Sequence, residues 1–432
     1  MRRLWIFLVT GTLLVTGSLS ARAGEIDQLL QKLVDKGVLT AGEAQTIATE
    51  TKEEIKKQNV QGKNEAIPQW IQNIKLSGDF RLRYQYDHAK KLTSSKTQTN
   101  DESRGRIRAR VGLDAKVNDQ ITVGVGIATG STDTTSKDAS RSGNVTLAGG
   151  FAKKTIDLDY AYVQYAPTSW ATIIAGRMRN PLWEPSDFIW DGNIRPEGGV
   201  VKLDKNITDK TELFMIAGGL IVDESAAMGA DPTMIVIESG VKQAVTDNIS
   251  FKGAVSYYGT MNARGKKLPG TVSTNTVTSA ATGALKYEYD DLAPMVEIGF
   301  KDLFAPVHLD LPYFGLYGEF VDNVNSDIKV RKTGFIVGNK FGAEKIDKWA
   351  DWQVDLNYAM LGKDAILDIL PNADRYGGKT GIRAYRTSYN FGLGKNNWLT
   401  LCYYHANQLP GNFGVKQTKP ASVVQVDWNV KF

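Results

Sequence analysis

The chain has 432 residues, a formal charge of +5, one cysteine and three histidines. The lone Cys402 excludes an internal disulfide framework, and 52 basic against 47 acidic residues lack the clear basic excess of a nucleic-acid binder. The 42 glycines, 17 tyrosines, 15 phenylalanines and 9 tryptophans suit an exported β protein.

The first element reads as a secretory signal. Met1-Arg2-Arg3 is a short basic region, Leu4 to Val15 is apolar, and Ala21-Arg22-Ala23 is an A-x-A cleavage site. The apolar run is too short to span a bilayer, and no other stretch has the ~20 apolar residues a spanning helix needs. Cleavage after Ala23 removes Arg2, Arg3 and Arg22, leaving 49 basic residues against 47 acidic ones. Residues 24–58 then read as a periplasmic helical hairpin or coiled-coil segment. Ile26, Leu29, Leu30, Leu33 and Val34 make an amphipathic stripe that Gly37 can close. Thr40-Ala41-Gly42-Glu43 reads as a capping box for a second helix to about Gln58, with a weaker stripe of Ala44, Ile47, Ala48 and Ile55. Such a hairpin either folds on itself or the barrel rim, or contacts other copies or the cell wall. Residues 59–72 are polar and read as a linker.

From Asn73 to Phe432 the hydrophobic period is two. Ile74, Leu76, Phe80, Leu82, Tyr84 and Tyr86 alternate with Asn73, Lys75, Asp79, Arg81, Arg83 and Gln85. Arg104, Arg106, Arg108 and Arg110 likewise alternate with Ile107, Ala109 and Val111. The strands are long, one face carries full charges, and aromatics such as Tyr84, Tyr160, Tyr162, Trp170, Tyr258, Trp398 and Tyr404 gather near strand ends. That pattern predicts an all-β fold, a transmembrane antiparallel β-barrel in an outer membrane, apolar outside and polar inside. Short turns are predicted at Asn118-Asp119, Pro167-Thr168, Asn206 to Asp209, Thr246-Asp247, Gly342 to Lys348 and Gly394 to Asn396. Long connections are predicted at Asp87 to Ser103, Gly130 to Ala152, Arg179 to Gly198, Met261 onward, Gly362 to Thr380 and Ala406 to Pro420. The alternation closes if Ala284 to Tyr289 belongs to the long connection after Thr260. About sixteen strands remain, with both termini periplasmic and an aqueous channel inside.

The last segment, VVQVDWNVKF, is an alternating strand that closes on Phe432. It resembles the C-terminal signal by which Gram-negative barrels are recognised by the barrel-assembly machinery. GRMRNPLWEPSDFIWDGNIRPEGG (Gly176 to Gly199), LYGEFVDN (Leu316 to Asn323) and GKDAILDILPNADRYGGKTG (Gly362 to Gly381) are similar to segments of the bacterial "putative porin" family. The family's acidic D-S-D-F motif stands here as Asn372-Ala373-Asp374-Arg375. The resemblance implies passive transport of small hydrophilic solutes and ions, a partner surface of outer-membrane lipid, and a homotrimer.

Chemistry of other kinds finds little support. His88, His308 and His405 are far apart in sequence, and there is no G-x-S-x-G elbow, H-E-x-x-H or C-x-x-C. Gly124 to Gly130 is a G-x-G-x-x-x-G run inside a strand, where glycines ease curvature. We therefore expect no enzyme, cofactor or metal. Two alternatives stand beside the channel: a barrel that sheathes a separate multi-haem cytochrome, and an outer-membrane hydrolase.

The residues expected at a constriction follow from the strand order. Arg179 to Gly198 is the third external loop, which in porins folds inward. Trp183, Trp190, Pro181, Pro185 and Pro196 stiffen it, and Glu184, Asp187, Asp191 and Glu197 charge it. It should face the wall that carries Arg81, Arg83, Arg104, Arg106, Arg108 and Arg110. The pairing of positive wall and negative loop implies a transverse field.

Overall fold

The computed structural model describes residues 40, 42, 43, 45–47, 49, 73–92, 97–131, 138–224, 230–307, 311–410 and 420–432. The chain divides into two compact units, Met1–Gln72 and Asn73–Phe432. The expected signal, first helix and linker lie outside the described residues. In the first unit the capping box is formed. The Thr40 amide and hydroxyl donate to Glu43 Oε2 at 2.9 and 2.7 Å, and the Glu43 amide donates to Thr40 Oγ1 at 3.3 Å.

The second unit is a closed antiparallel barrel of sixteen spanning strands. They are β1 (Ile74–Leu92), β2 (Thr97–Lys116), β3 (Ile121–Thr129), β4 (Ile156–Thr168), β5 (Ala171–Arg177) and β6 (Glu197–Thr208). Next come β7 (Thr211–Ile221), β8 (Thr233–Ala244), β9 (Ile249–Met261), β10 (Asp290–Lys301) and β11 (Tyr313–Asn323). The last are β12 (Thr333–Gly342), β13 (Trp349–Leu361), β14 (Ile382–Gly394), β15 (Asn397–Gln408) and β16 (Ala421–Lys431). Each pairs with its chain neighbours, and β1 pairs with β16 from Asp79↔Lys431 to Ala89↔Ala421, so no sheet edge is left open. A two-residue strand, Val145–Thr146, pairs with β2 beyond the end of the shorter β3.

Alternation fixes which side each residue meets. On β1, Leu82 and Tyr84 are exposed on the outer face while Arg83 and Gln85 are buried inside. Residues 284–289 lie in the long connection between β9 and β10, as the loop alternation requires. Asn118 Oδ1 shapes one short turn by accepting the amides of Gln120 and Ile121, both at 2.9 Å.

Three expectations need correction. The connection Asp87 to Ser103 is mostly strand, because β1 and β2 stay paired out to Leu92↔Thr97. At the base of that extension His88 Nδ1 lies 2.6 Å from Asp101 Oδ1, a polar cross-strand pair. Tyr160, Tyr162, Tyr258, Trp398 and Tyr404 are not girdle residues; they turn inward, and Tyr160, Tyr258 and Tyr404 are buried. The glycines of 124–130 do more than bend a strand. A Cβ at Gly126 would lie 2.2 Å from the Tyr160 ring, and one at Gly124 would lie 2.4 Å from the Tyr162 ring. The rings lie flat on the strand, and a register shift between Gly126 and Ile127 accompanies them.

The lumen is not uniformly polar. Phe214, Ile216, Met234, Val236, Met295 and Ile336 point inward and join one buried apolar cluster. Loops cover them, so burial rather than water holds that half of the wall.

Candidate functional site

The polar half of the lumen is built on four neighbouring strands. In β15, β16, β1 and β2, inward side chains fall into cross-strand rows: Trp398–Asn429–Arg81–Arg108, and Thr400–Asp427–Arg83–Arg106. A third row runs Lys431–Asp79–Arg110. Closure of the barrel therefore sets carboxylates among the arginines. Arg83 is bidentate on Asp427, with Nε at 2.7 Å and Nη2 at 2.8 Å. Asp79 Oδ1 accepts Arg108 Nη2 at 2.7 Å, and its Oδ2 accepts Arg110 Nε at 2.7 Å. These pairings neutralise the like-charge repulsion of a bare arginine cluster.

Two loops face this wall. The third, residues 178–196, packs Met178, Leu182, Phe188, Ile189, Trp190 and Ile194 on the apolar half of the lumen. Trp190 meets Tyr258 edge-on at 5.8 Å, and Trp183 meets Phe214 at 6.4 Å. The seventh, residues 362–381, adds Ala365, Ile366, Leu367 and Leu370 to the same cluster. Polar contacts lock the two together. The Asp191 amide donates to Leu370 O at 2.8 Å, and Asp191 Oδ2 accepts the Ala373 amide at 2.8 Å. Asp187 accepts Asn372 Nδ2 at 2.7 Å and Arg375 Nη2 at 3.4 Å. Asp374 reaches the wall, where its Oδ2 accepts Arg83 Nη1 at 3.0 Å. Although burial opposes its ionisation, Arg83, Arg106 and Arg81 hold its carboxyl down to about 2. Asp191 goes the other way: burial pushes it up to about 6 despite the amides of Ala373 and Asn193.

Between wall and loops lies a cavity of about 410 Å³. The expected residues sort clearly. Arg81, Arg83, Arg108 and Arg110 line it with Asp187 and Asp191. Arg104 and Arg106 do not; Arg104 is paired with Asp87, and Arg106 donates to Asn144 O at 2.9 Å. Glu197 opens β6 and pairs with Arg177. Glu184 sits on the far side of the third loop, where burial and the neighbouring Glu319 and Glu238 push its carboxyl well above the usual range. The negative loop thus does not present four free charges to the wall.

Residues unforeseen from the sequence complete the eyelet or fasten its loops. Asp427 lies next to β1 only once the barrel closes. Asp374, in the altered D-S-D-F segment, bridges loop to wall. Arg141, in a four-residue helix (Asp138–Arg141), is 1% exposed. It donates to the carbonyls of Asp368, Pro371, Gly378 and Gly270 at 2.8–3.3 Å, which joins three loops.

The two loop segments that meet here are those quoted for the family resemblance. The model of the family described as "Putative porin" matches residues 87–296 and 316–432. The chain belongs to that family. A high-pH structure of OprB from Pseudomonas putida matches the porin with a TM-score of 0.54 at 12% identity, covering 84% of this chain and 95% of that one. In-vitro folded OmpT of Vibrio cholerae, described in its trimer form, matches more loosely, with a TM-score of 0.44 at 10% identity over 83% and 99%. None of the curated proteins matches. Family and barrel together make the protein an outer-membrane porin, a channel built on a closed sixteen-stranded sheet.

Proposed function

We propose that this porin passes small hydrophilic solutes and ions by passive diffusion, with both barrel termini in the periplasm. The observation that carries the reading is the eyelet: a polar cavity of about 410 Å³ held between an ion-paired wall and two docked loops. The wall's arginines and the loop and wall carboxylates set a transverse field that gives weak ion selectivity. Salt should screen it over ~8 Å at physiological strength. Reversal potentials in a salt gradient test this. Replacing Arg81 and Arg110 with Ser should shift the potential toward cations and raise conductance; a folded variant with neither change would remove these arginines from the constriction.

The alternatives fit less well. A cytochrome sheath needs an empty lumen, and here side chains of the third and seventh loops pack inside it in one apolar cluster with the wall. A hydrolase has one arrangement in its favour. His405 Nδ1 lies 2.9 Å from Ser422 Oγ, and its Nε2 lies 3.3 Å from Asn407 Nδ2. These strand residues share the parity of the outer face, Tyr403 and Val424 included, and among the described residues no carboxylate orients that imidazole. We read them as a polar rim contact. A short-chain p-nitrophenyl ester should not be hydrolysed by the purified porin above the rate of its Ser422→Ala variant.

Phe432 is proposed as a contact for barrel assembly. Its amide donates to Gly78 O at 3.0 Å and its carbonyl accepts the Gly78 amide at 2.9 Å, so it closes the β1–β16 seam. Its ring covers Gly78, where a Cβ would stand 2.3 Å from the ring carbon Cζ. Deleting Phe432, or changing Gly78 to Val, should lower the heat-modifiable porin in outer-membrane fractions. A normal yield from both variants would deny the contact that role. Native mass in mild detergent tests the homotrimer implied by the family.

A further inference from the structure

We infer that the eyelet is a binding site for small oxyanions, a carboxylate or a phosphate, gripped by the free ends of Arg81 and Arg110. The inference rests on the channel reading above and concerns hydrogen-bond capacity rather than charge.

Charge alone decides little here. The lining carries Arg81, Arg83, Arg108, Arg110, Arg386 and Lys431 against Asp79, Asp187, Asp191, Asp374 and Asp427, which is close to balance. The spare valences are not balanced. Both oxygens of Asp79, Asp427, Asp187 and Asp191 already accept hydrogen bonds. Asp187 and Asp191 spend theirs on the seventh loop and on Asn193, not on the arginines of the wall. Arg83 is equally committed, with Nε and Nη2 on Asp427 and Nη1 on Asp374. So is Arg108, with Nε and Nη2 on Asp79 and Nη1 at 3.5 Å from Asn193 Oδ1.

Arg81 and Arg110 differ. Each is held by its Nε: Arg81 on Asn429 Oδ1 at 2.9 Å, with Asp427 at 3.4 Å, and Arg110 on Asp79 Oδ2 at 2.7 Å. Among the described residues their Nη atoms make no hydrogen bond, and both side chains remain about a fifth exposed, at 21% and 23%, on the cavity. A guanidinium pinned at Nε has its terminal edge pre-oriented, and that edge matches two oxygens of a carboxylate or phosphate. The two forks are diagonal neighbours across β1 and β2, since Arg81 opposes Arg108 and Asp79 opposes Arg110. Diagonal neighbours stand about 7–8 Å apart, close enough for one anion to move between them. Among the described residues, only Asp374 of the lining carboxylates keeps an oxygen, Oδ1, that accepts no hydrogen bond, so free donors outnumber free acceptors and the surface favours anions that accept over cations that must be accepted. Binding with weak, successive grips still permits conduction.

The test is single-channel conductance in planar bilayers, with potassium phosphate and potassium acetate compared with potassium chloride. Wild-type conductance should saturate as phosphate or acetate rises and stay near linear in chloride. Arg81→Lys with Arg110→Lys keeps the charge and loses the forks. In it half-saturation should weaken about tenfold, the effect of losing one good charge-assisted contact. Saturation by phosphate alone assigns the forks to a phosphate group, and saturation by acetate as well assigns them to oxyanions at large. Linear conductance in all three salts, or equal saturation in the lysine variant, overturns the site. The channel reading survives either result, because it rests on reversal potential and open conductance and not on saturation.

Discussion

Replacing Arg141 with Met should turn this porin from a narrow channel into a wide and noisy one. The guanidinium is buried and donates to Asp368 O at 2.8 Å, Pro371 O at 3.1 Å and Gly378 O at 3.3 Å in the seventh loop, and to Gly270 O at 3.0 Å in the fifth. Met fills part of the volume but donates nothing, so several buried carbonyls lose a partner together. Each buried carbonyl left without a donor costs about 1–3 kcal/mol, enough together to loosen the seventh loop against its remaining anchors on the third loop and the wall. The barrel should survive, because its strands pair without help from the loops. Conductance should rise, open-state noise should increase, and limited proteolysis should cut within residues 362–381 while heat-modifiability stays normal. The same contact on Asp368 gives a second handle. Its side chain accepts the Thr274 amide at 2.6 Å and Thr271 Oγ1 at 2.7 Å, so Asp368→Ala should loosen the fifth loop from the seventh in the same assay. An Arg141→Met porin with wild-type conductance and no new cleavage would show that these carbonyls do not hold the loops.

How far the residues disclosed this arrangement depends on which face they meet. Where one face meets lipid and the other water, as in Asp79 to Gln85 and Arg104 to Arg110, period two is unambiguous and sets the arginines on the inner face of the strands. Where loops cover the wall, both faces are apolar. Met234-Ile235-Val236-Ile237 in β8 has Met234 and Val236 fully buried beneath the third loop and Ile235 and Ile237 facing outward. Such a run carries no mark of which side is inside. The ion pairs were hidden for a different reason. Asp427 pairs with Arg83 across 344 residues, a contact that exists only because β16 returns to β1. Arg141 gave no signal at all, since an arginine in a polar loop reads as a solvated surface group. One hint was available in the family-like segments. Asn372, Ala373, Asp374 and Arg375 depart from an acidic motif, yet each now makes a contact that fastens the seventh loop to the third loop or to the wall. A motif that keeps its length while changing its chemistry is consistent with a structural joint rather than a ligand.

Acidification should quieten the pore, and Asp191 is the residue that carries the effect. The carboxylate is 1% exposed at the joint between the third and seventh loops, and burial pushes it up to about 6 from the ordinary 3.8. A folded-state value above the free one means that docking binds a proton. The stabilisation is fully present below 3.8 and is lost as the pH rises through about 6. The span corresponds to a difference on the order of 3 kcal/mol in favour of the docked loops at pH 4 over pH 7. Glu184, raised in the same direction by burial and by Glu319 and Glu238, adds to it. Asp374 has the opposite sign: its hold on Arg83 is present above 3.8 and is lost only as the pH falls through about 2, so it does not oppose the trend in the working range. Open-channel fluctuations and loop proteolysis should therefore fall between pH 7.5 and pH 5 in the wild type. Asp191→Asn cannot take up the proton, and its amide meets the Ala373 or Asn193 donor. It should loosen the joint at every pH and flatten part of the dependence, with Glu184→Gln reducing what remains. If the double variant keeps the full pH response of the wild type, the proton is bound elsewhere and the joint is not its sensor.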